Sequence, residues 1–536
     1  MEEFDYIVVG AGSAGCVAAG RLVAEQGARV LLLEEGAEDR SMLIKMPAGA
    51  FKIMTGAGGF LKTYRSVPQA SLDGRSIDIA QARVLGGGSS VNALVYTRGA
   101  REDYDAWDRE LGGAGWGWND ILPHFKRQEG NQRLSNDNHG SAGPLKVSDF
   151  RNICRISEIF IPTMEALGIQ RTDDFNAGDE RGVGFFQGTL FRSKRFSAAN
   201  AFLDPVRADR NMSLRTNAAV TRIVIENGRA VGVEFRHAGR SRAARCRRDI
   251  ILAAGAYASP KLLLLSGIGP AAELARHGIA VQRDLPGVGQ NMQDHPIVTL
   301  SAYTKGRYGY FGEERGFRLV LNLIRYFSAG KGPIASNGSE SVAFVNLDDP
   351  SALPDLQIYN IGMMWLAPGQ GTPDHGLTLM AGLVRPKSRG WMRLSSANPL
   401  DPVEISPNFL EDPDDLRRLV AGFRYMRTVL ATQPLADIVR QELVPGNEVA
   451  SEEEIIRYVK ASTITNYHPV GSCRMGRRDD PMAVVDAELK VRGVAGLRVF
   501  DASVFPLIPS ANTNAPAMAV ADRGVDILLG HAGVRV

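Results

Sequence analysis

Little in this sequence favours a cross-linked, metal-built or membrane-spanning scaffold. Only four cysteines occur, Cys16, Cys154, Cys246 and Cys473. No two of them form a C-x-x-C pair, which argues against a disulfide framework or a zinc site. Apolar runs are short: Leu262 to Leu265 is among the longest, far below the ~20 residues that cross a bilayer. Neither sign of charge prevails, with 62 Lys and Arg against 59 Asp and Glu and a net charge of +3. A nucleic-acid partner would need a basic excess that is absent here. The densest basic stretch, Arg240 to Arg248, reads as a solvated surface strand. The acidic start, Met1 to Asp5, runs straight into a strand and has no basic n-region of a secretory signal. These absences lead to the expectation of a soluble cytoplasmic protein, with peripheral attachment to the inner membrane left open.

What is present begins at once. The chain has 536 residues, 44% of them hydrophobic, enough for two to four domains at ~100–200 residues each. Phe4 to Gly10 reads as a buried central strand with almost no polar interruption. Gly10-Ala-Gly12-Ser13-Ala14-Gly15 follows, then a helical stretch from Ser13 to Gln26 and a second strand, Arg29 to Glu34. In this strand–turn–helix–strand setting Gly10 permits the tight turn and Gly12 lets a pyrophosphate approach the backbone. Gly15 allows the helix to pack closely on the strand. The N–H groups at the helix start, at Ser13 and Ala14, are a phosphate cradle. Glu34, 24 residues after Gly10, stands where a carboxylate accepts hydrogen bonds from an adenosine ribose. This clamp specifies a dinucleotide without choosing between FAD and NAD.

Further segments identify a family. Ala82-Arg-Val-Leu-Gly-Gly-Gly-Ser-Ser-Val-Asn-Ala-Leu-Val-Tyr96 and Gly255-Ala-Tyr-Ala-Ser-Pro-Lys-Leu-Leu-Leu-Leu-Ser-Gly-Ile-Gly269 closely resemble the two signatures of glucose–methanol–choline oxidoreductases. His468-Pro-Val-Gly-Ser-Cys-Arg-Met-Gly476 and Asn512-Thr-Asn-Ala-Pro516 resemble the catalytic region of the same family, in the family's order. The resemblance implies FAD as cofactor and an alcohol as substrate, oxidised to an aldehyde by proton abstraction and hydride transfer to flavin N5. Within the first signature Gly87 lets the backbone lie against the flavin, Ser90 is expected to donate to it, and Asn92 to contact it. Some relatives carry a flavin-linked histidine just before this asparagine; Val91 stands here, so FAD is expected without a covalent link. The second signature reads as a helix starting at Ser259-Pro260 and ended by Gly267. Val220 lies on a strand that turns back at Asn227-Gly228, a type I′ hairpin signal, and resembles the family's backbone contact to adenine. Asp501 and Ala502 resemble a second contact to the pyrophosphate and ribityl chain.

Among eight histidines, only His468 sits in a segment resembling a catalytic motif. A neutral imidazole with a pKa near ~6.5 suits a base that accepts a hydroxyl proton. Asn512 is its expected partner on the substrate oxygen, and Asn514 reads equally as a flavin contact or a cap. Pro516 opens a helix whose positive end would face the reduced flavin. His295, in Asp294-His295, reads as a structural histidine with its own partners. Asn466, where some oxidases of the family are apolar, tilts the reading toward a dehydrogenase with a quinone- or dye-type acceptor over one using oxygen.

The expected fold is α/β: a Rossmann-like FAD-binding domain from residues 1–150, 195–300 and 465–536, with 151–194 as a substrate-side connection. Residues 300–464 form an α+β substrate-binding domain, a sheet flanked by helices with apolar strands at Ile358 to Trp365 and Leu377 to Val384. No aromatic cage for a quaternary ammonium is evident, which favours a neutral primary alcohol over choline. An oxygen-using oxidase of aromatic, furanic or pyridine-type alcohols, a choline dehydrogenase, and an FAD-containing hydroxynitrile lyase are the alternatives.

Overall fold

The computed structural model describes residues 1–367 and 369–531. At its centre lies a five-stranded, wholly parallel sheet in the order Met212–Arg215, Val30–Leu33, Tyr6–Val9, Ile250–Leu252, Leu497–Val499. The three middle strands are buried along their whole length, as uninterrupted Val, Ile and Leu sequences require when both faces are covered. The helix Ser13–Gln26 follows the central strand, and the last helix, Asn514–Leu529, packs beside it. Arg21 fastens the two, donating to Asp522 at 3.0 Å and Asp526 at 2.6 Å.

A second sheet carries the predicted hairpin, Ala218–Glu226 against Arg229–His237. Its turn has φ of 51° at Asn227 and 74° at Gly228, the paired positive values of a type I′ turn. The basic strand Arg240–Cys246 joins it, with Arg240 and Arg242 exposed.

The third sheet is antiparallel, in the order Val439–Val444, Pro296–Thr304, Gly376–Leu383, Leu356–Ile361, Ser341–Val345, Gly182–Phe185, with Ile464–Thr465 paired beside Pro296. Helices Arg155–Ala166 and Pro413–Ala431 cover one face. Ile297, Tyr359, Ile361 and Met380 on the other face line a cavity shared with the parallel sheet. The architecture is thus the expected α/β pairing of a dinucleotide-type sheet, discontinuous in sequence, with a helix-flanked substrate sheet.

Two local expectations shift. The strand expected at Ile358 to Trp365 runs from Leu356 to Ile361, because the Gly362 N–H and C=O are diverted to Gly338 and Tyr310 and the chain leaves the ladder. The helix expected to start at Ser259-Pro260 starts at Gly255 and carries Pro260 inside it. A proline there frees the carbonyl four residues back. That carbonyl, of Ala256, is taken by the Ser472 hydroxyl at 2.5 Å.

Candidate active site

One cavity of about 480 Å³ runs from the loop ends of the parallel sheet to the face of the antiparallel one. At the first end it is lined by Gly10, Gly12, Ser13, Ala14, Glu34, Gly87 and Val220. Gly15 lies beneath the lining, where a Cβ would come within 1.9 Å of the Gly10 carbonyl oxygen; its role is to let helix and strand meet. Gly87, with φ of 52°, presses so closely on the first loop that a Cβ would lie 2.6 Å from Gly12 Cα. The helices Ser13–Gln26 and Asn514–Leu529 both open here, and the Ser13 hydroxyl joins them by donating to Asn514 Oδ1 at 2.7 Å. Two helix N-termini give the wall a positive potential suited to phosphate. Glu34 accepts from the N–H groups of Ala11 at 2.9 Å and Gly36 at 2.8 Å, and burial pushes its pKa up to about 7. Asp501 accepts from Gly255 N–H at 2.9 Å and the Ser259 hydroxyl at 2.5 Å; Asp501 and Ala502 reach the cavity midway along it.

Ser90 does not face the cavity. Its hydroxyl donates to the Leu85 carbonyl at 2.7 Å, and that of Ser89 to Gly86 at 2.6 Å, because a buried hydroxyl in a glycine turn bonds the nearest free carbonyl. Asn92 reaches the lining, but its side-chain oxygen is occupied by Arg195 at 2.6 Å and Leu94 N–H at 3.0 Å. Arg195 was not legible in the sequence. It is buried behind this loop, donates to the carbonyls of Ile44, Ser89 and Asn92, and burial lowers its pKa to about 9.

The other end is built from side chains. His468 follows Tyr467, which holds a left-handed φ of 61° and whose N–H is caught by the Thr465 hydroxyl at 2.7 Å; the turn aims the imidazole inward. Asp294 lies beneath, accepting from the N–H of His295 at 2.8 Å, the N–H of His468 at 2.9 Å and the Thr465 hydroxyl. Burial pushes its pKa up to about 7 against the pull of these donors. Thr97 accepts the Asn512 N–H at 3.0 Å and donates to Asn512 Oδ1 at 3.2 Å. That fixes the amide, so Asn512 Nδ2 donates to His468 Nε2 and to the Tyr359 oxygen, each at 3.2 Å. His468 Nε2 is therefore an acceptor, and its proton sits on Nδ1, 3.0 Å from His295 Nδ1. The two rings meet nearly perpendicular, at 88°.

His295 pairs with His468 as well as lying against the backbone carbonyls of Val384 and Pro509, so it is more than the structural histidine expected. Its position next to Asp294 hinted at a turn but not at this pairing, because His468 lies 173 residues away. Burial lowers the His468 pKa to about 3, and burial, then His468 itself, hold His295 well below its usual value. Tyr359, also unforeseen, accepts from Asn466 Nδ2 at 3.3 Å and donates to Gln357 at 2.5 Å. Around these groups the wall is apolar: Val95, Ile297, Ile361, Trp365, Met380 and Ile464. The carboxylates of the described lining are already engaged: Glu34 by the Ala11 and Gly36 N–H groups, Glu35 by Lys62 and Arg83, and Asp501 by the Gly255 N–H and the Ser259 hydroxyl.

A family model described as GMC oxidoreductase matches residues 4–297, and its C-terminal counterpart matches residues 386–521. The chain is a GMC oxidoreductase. It is 39% identical over 532 residues to the alcohol dehydrogenase (acceptor) of Pseudomonas putida, covering 98% of this chain and 96% of that one. It is 37% identical to the oxygen-dependent choline dehydrogenase of Vibrio vulnificus, over 99% and 95% of the two chains. Among solved structures, pyridoxine 4-oxidase from Mesorbium loti superimposes with a TM-score of 0.88 at 29% identity, over 98% and 99% of the two chains. As a GMC oxidoreductase the protein uses FAD and acts on CH–OH groups. The residues fit that cofactor: a glycine-lined approach and two helix N-termini for phosphates, a carboxylate for ribose, and an apolar chamber beyond. No helix among the described residues is long and apolar enough to cross a membrane.

Proposed function

We propose that this GMC oxidoreductase oxidises a neutral primary alcohol to the aldehyde, with His468 as the base. The observation that carries the reading is the unprotonated His468 Nε2, beside the Asn512 amide and facing a chamber with apolar walls. A hydroxyl entering there donates its proton to His468 and accepts from Asn512, which binds oxygen without competing for the proton. His295 receives the His468 Nδ1 proton in hydrogen bond and so holds the tautomer that leaves Nε2 free. Bound FAD supplies the hydride acceptor. Gly10, Gly12, Ser13, Ala14, Gly87, Asn92, Val220, Glu34, Asp501, Ala502 and Asn514 hold it, and Val91, having no nucleophilic atom, leaves it without a covalent bond. A chamber whose lining carboxylates are already engaged disfavours a quaternary ammonium such as choline, since no free acid of the described lining balances a fixed positive charge. Asn466 beside Tyr359 makes the chamber polar near the base and tilts the reading to a dehydrogenase, attached peripherally to a membrane and passing electrons to a quinone- or dye-type acceptor.

An alcohol panel, assayed anaerobically and then with oxygen or a soluble dye, tests this. Bleaching of the flavin by aliphatic or aromatic primary alcohols, with faster turnover on dye than on oxygen, is expected. Turnover of a cyanohydrin without bleaching would make the protein a lyase instead. Acid precipitation should release the flavin into the supernatant.

A further inference from the structure

The helix Gly316–Ala329 is oriented opposite to the usual surface helix. Its buried positions are polar: Asn322 is 2% exposed and Tyr326 4%. Asn322 donates to the Glu313 carbonyl and side chain, and the Tyr326 hydroxyl to Ser193. Its outward stripe, spaced three, four and three residues apart, is Phe317, Val320, Ile324 and Phe327, which are 75%, 51%, 58% and 61% exposed. Such a contiguous apolar stripe marks a contact surface rather than ordinary scatter. Met42 and Phe191, also exposed, belong to segments close to the helix's C-terminal end: Ser193 bonds Gly330, and the Met42–Lys45 helix packs on Lys194–Arg195.

The charge around the stripe is basic. Arg315 and Arg318 are balanced by Glu314 and Glu313 at the helix start. Arg192, Lys194, Arg325 and Lys331 have no carboxylate at ion-pair distance among the described residues. An apolar stripe with an unbalanced basic surround matches the interface of a bilayer bearing anionic headgroups. A second copy would instead bring two like-charged rims together. The helix also stands next to the cavity wall. Pro333–Ala335 packs on it, the Ile334 carbonyl accepts from Ala48 N–H at 3.2 Å, and Ala50, Phe51, Asn337 and Ser339 line the cavity.

We propose that the outward face of helix Gly316–Ala329 docks on an anionic lipid bilayer, presenting the cavity wall to the membrane. The proposal rests on the membrane-attached reading above and names the surface that performs it. The test is co-sedimentation of the FAD-loaded enzyme with phosphatidylcholine vesicles, with and without roughly one third phosphatidylglycerol. The wild type should sediment with the anionic vesicles and be released by salt. The triple variant Phe317→Ser, Ile324→Ser, Phe327→Ser should lose about tenfold or more in partitioning, and Arg325→Glu with Lys331→Glu should abolish the preference for anionic lipid. Alcohol turnover with a soluble dye reports that each variant is folded and tests the catalytic reading separately. Unchanged vesicle binding by the triple variant would overturn this surface while leaving membrane attachment standing. Absence of wild-type binding would overturn both. A wild-type dimer in sedimentation velocity that the triple variant dissociates would assign the face to a second copy and also overturn the proposal.

Discussion

At one end of the cavity the wall is backbone, supplied by residues a few positions apart: Gly10 to Ala14, and Gly87 across from Gly12. At the other it is side chains brought from far apart, with Thr97, Asp294, His295, Tyr359, His468 and Asn512 in one connected set of hydrogen bonds. At Gly10 and Gly87 the backbone wall leaves no room for an added atom, but it asks little of side-chain chemistry. The side-chain end can lose an atom and keep its shape, yet loses function when one donor or acceptor is replaced.

Substitutions separate the two. The largest effect is expected at the backbone end: Gly87→Ala places a methyl 2.6 Å from Gly12 Cα at a φ of 52°, and the purified protein should carry no visible flavin and no activity. Retention of flavin would show that this contact is softer than its geometry. Next, His468→Ala should keep its flavin but reduce it at least ~100-fold more slowly; an unchanged rate removes His468 as the base.

His295→Leu takes away the acceptor that holds the His468 tautomer. A loss of about tenfold in kcat, with KM little changed, is expected from an outer partner of this kind. His295→Gln, whose carbonyl can still accept, should recover much of it. Equal losses in both variants would reduce His295 to packing.

The smallest effect is a displacement of the pH profile. A lowered pKa means that the neutral, proton-accepting imidazole persists into mild acid. With His468 lowered to about 3 by burial, the acid limb of kcat/KM should fall below pH ~6, short of the ~6.5 of a free histidine. A limb at or above that value would show that the cavity hydrates the ring. Asp294, raised to about 7, and Arg385, which lowers His295, are the other charged groups facing the pair.

What could be read from the sequence divides along the same line. The turn at Asn227-Gly228, the helix Ser13–Gln26 and the glycines around it depend on residues near in sequence, and were legible as such. His468 and Asn512 were legible only through resemblance to a family, since nothing local says that residues 44 apart will touch. Arg195, Tyr359 and the pairing of His295 were not legible, because each is defined by partners far away along the chain. Ser90 misled for a related reason: a hydroxyl beside a phosphate-type loop looks like a donor to the ligand, and only the fold shows the Leu85 carbonyl nearer. Pro260 reads as a helix start because its missing N–H is cheapest there; the Ser472 hydroxyl that makes an interior proline tolerable lies 216 residues beyond Ala256, whose carbonyl it takes.

The parallel sheet takes its fifth strand from Leu497–Val499 and its last helix from Asn514–Leu529, and that helix is tied to the first one through Arg21. During synthesis the opening strand, turn and helix are made first, yet the sheet edge and the second helix N-terminus come from segments made far later. The first loop is therefore complete only once Leu497–Val499 and Asn514–Leu529 have joined it. Cofactor capture is thereby tied to the folding together of segments far apart in the chain, and a product truncated before Leu497 lacks the second helix N-terminus at the phosphate end of the cavity.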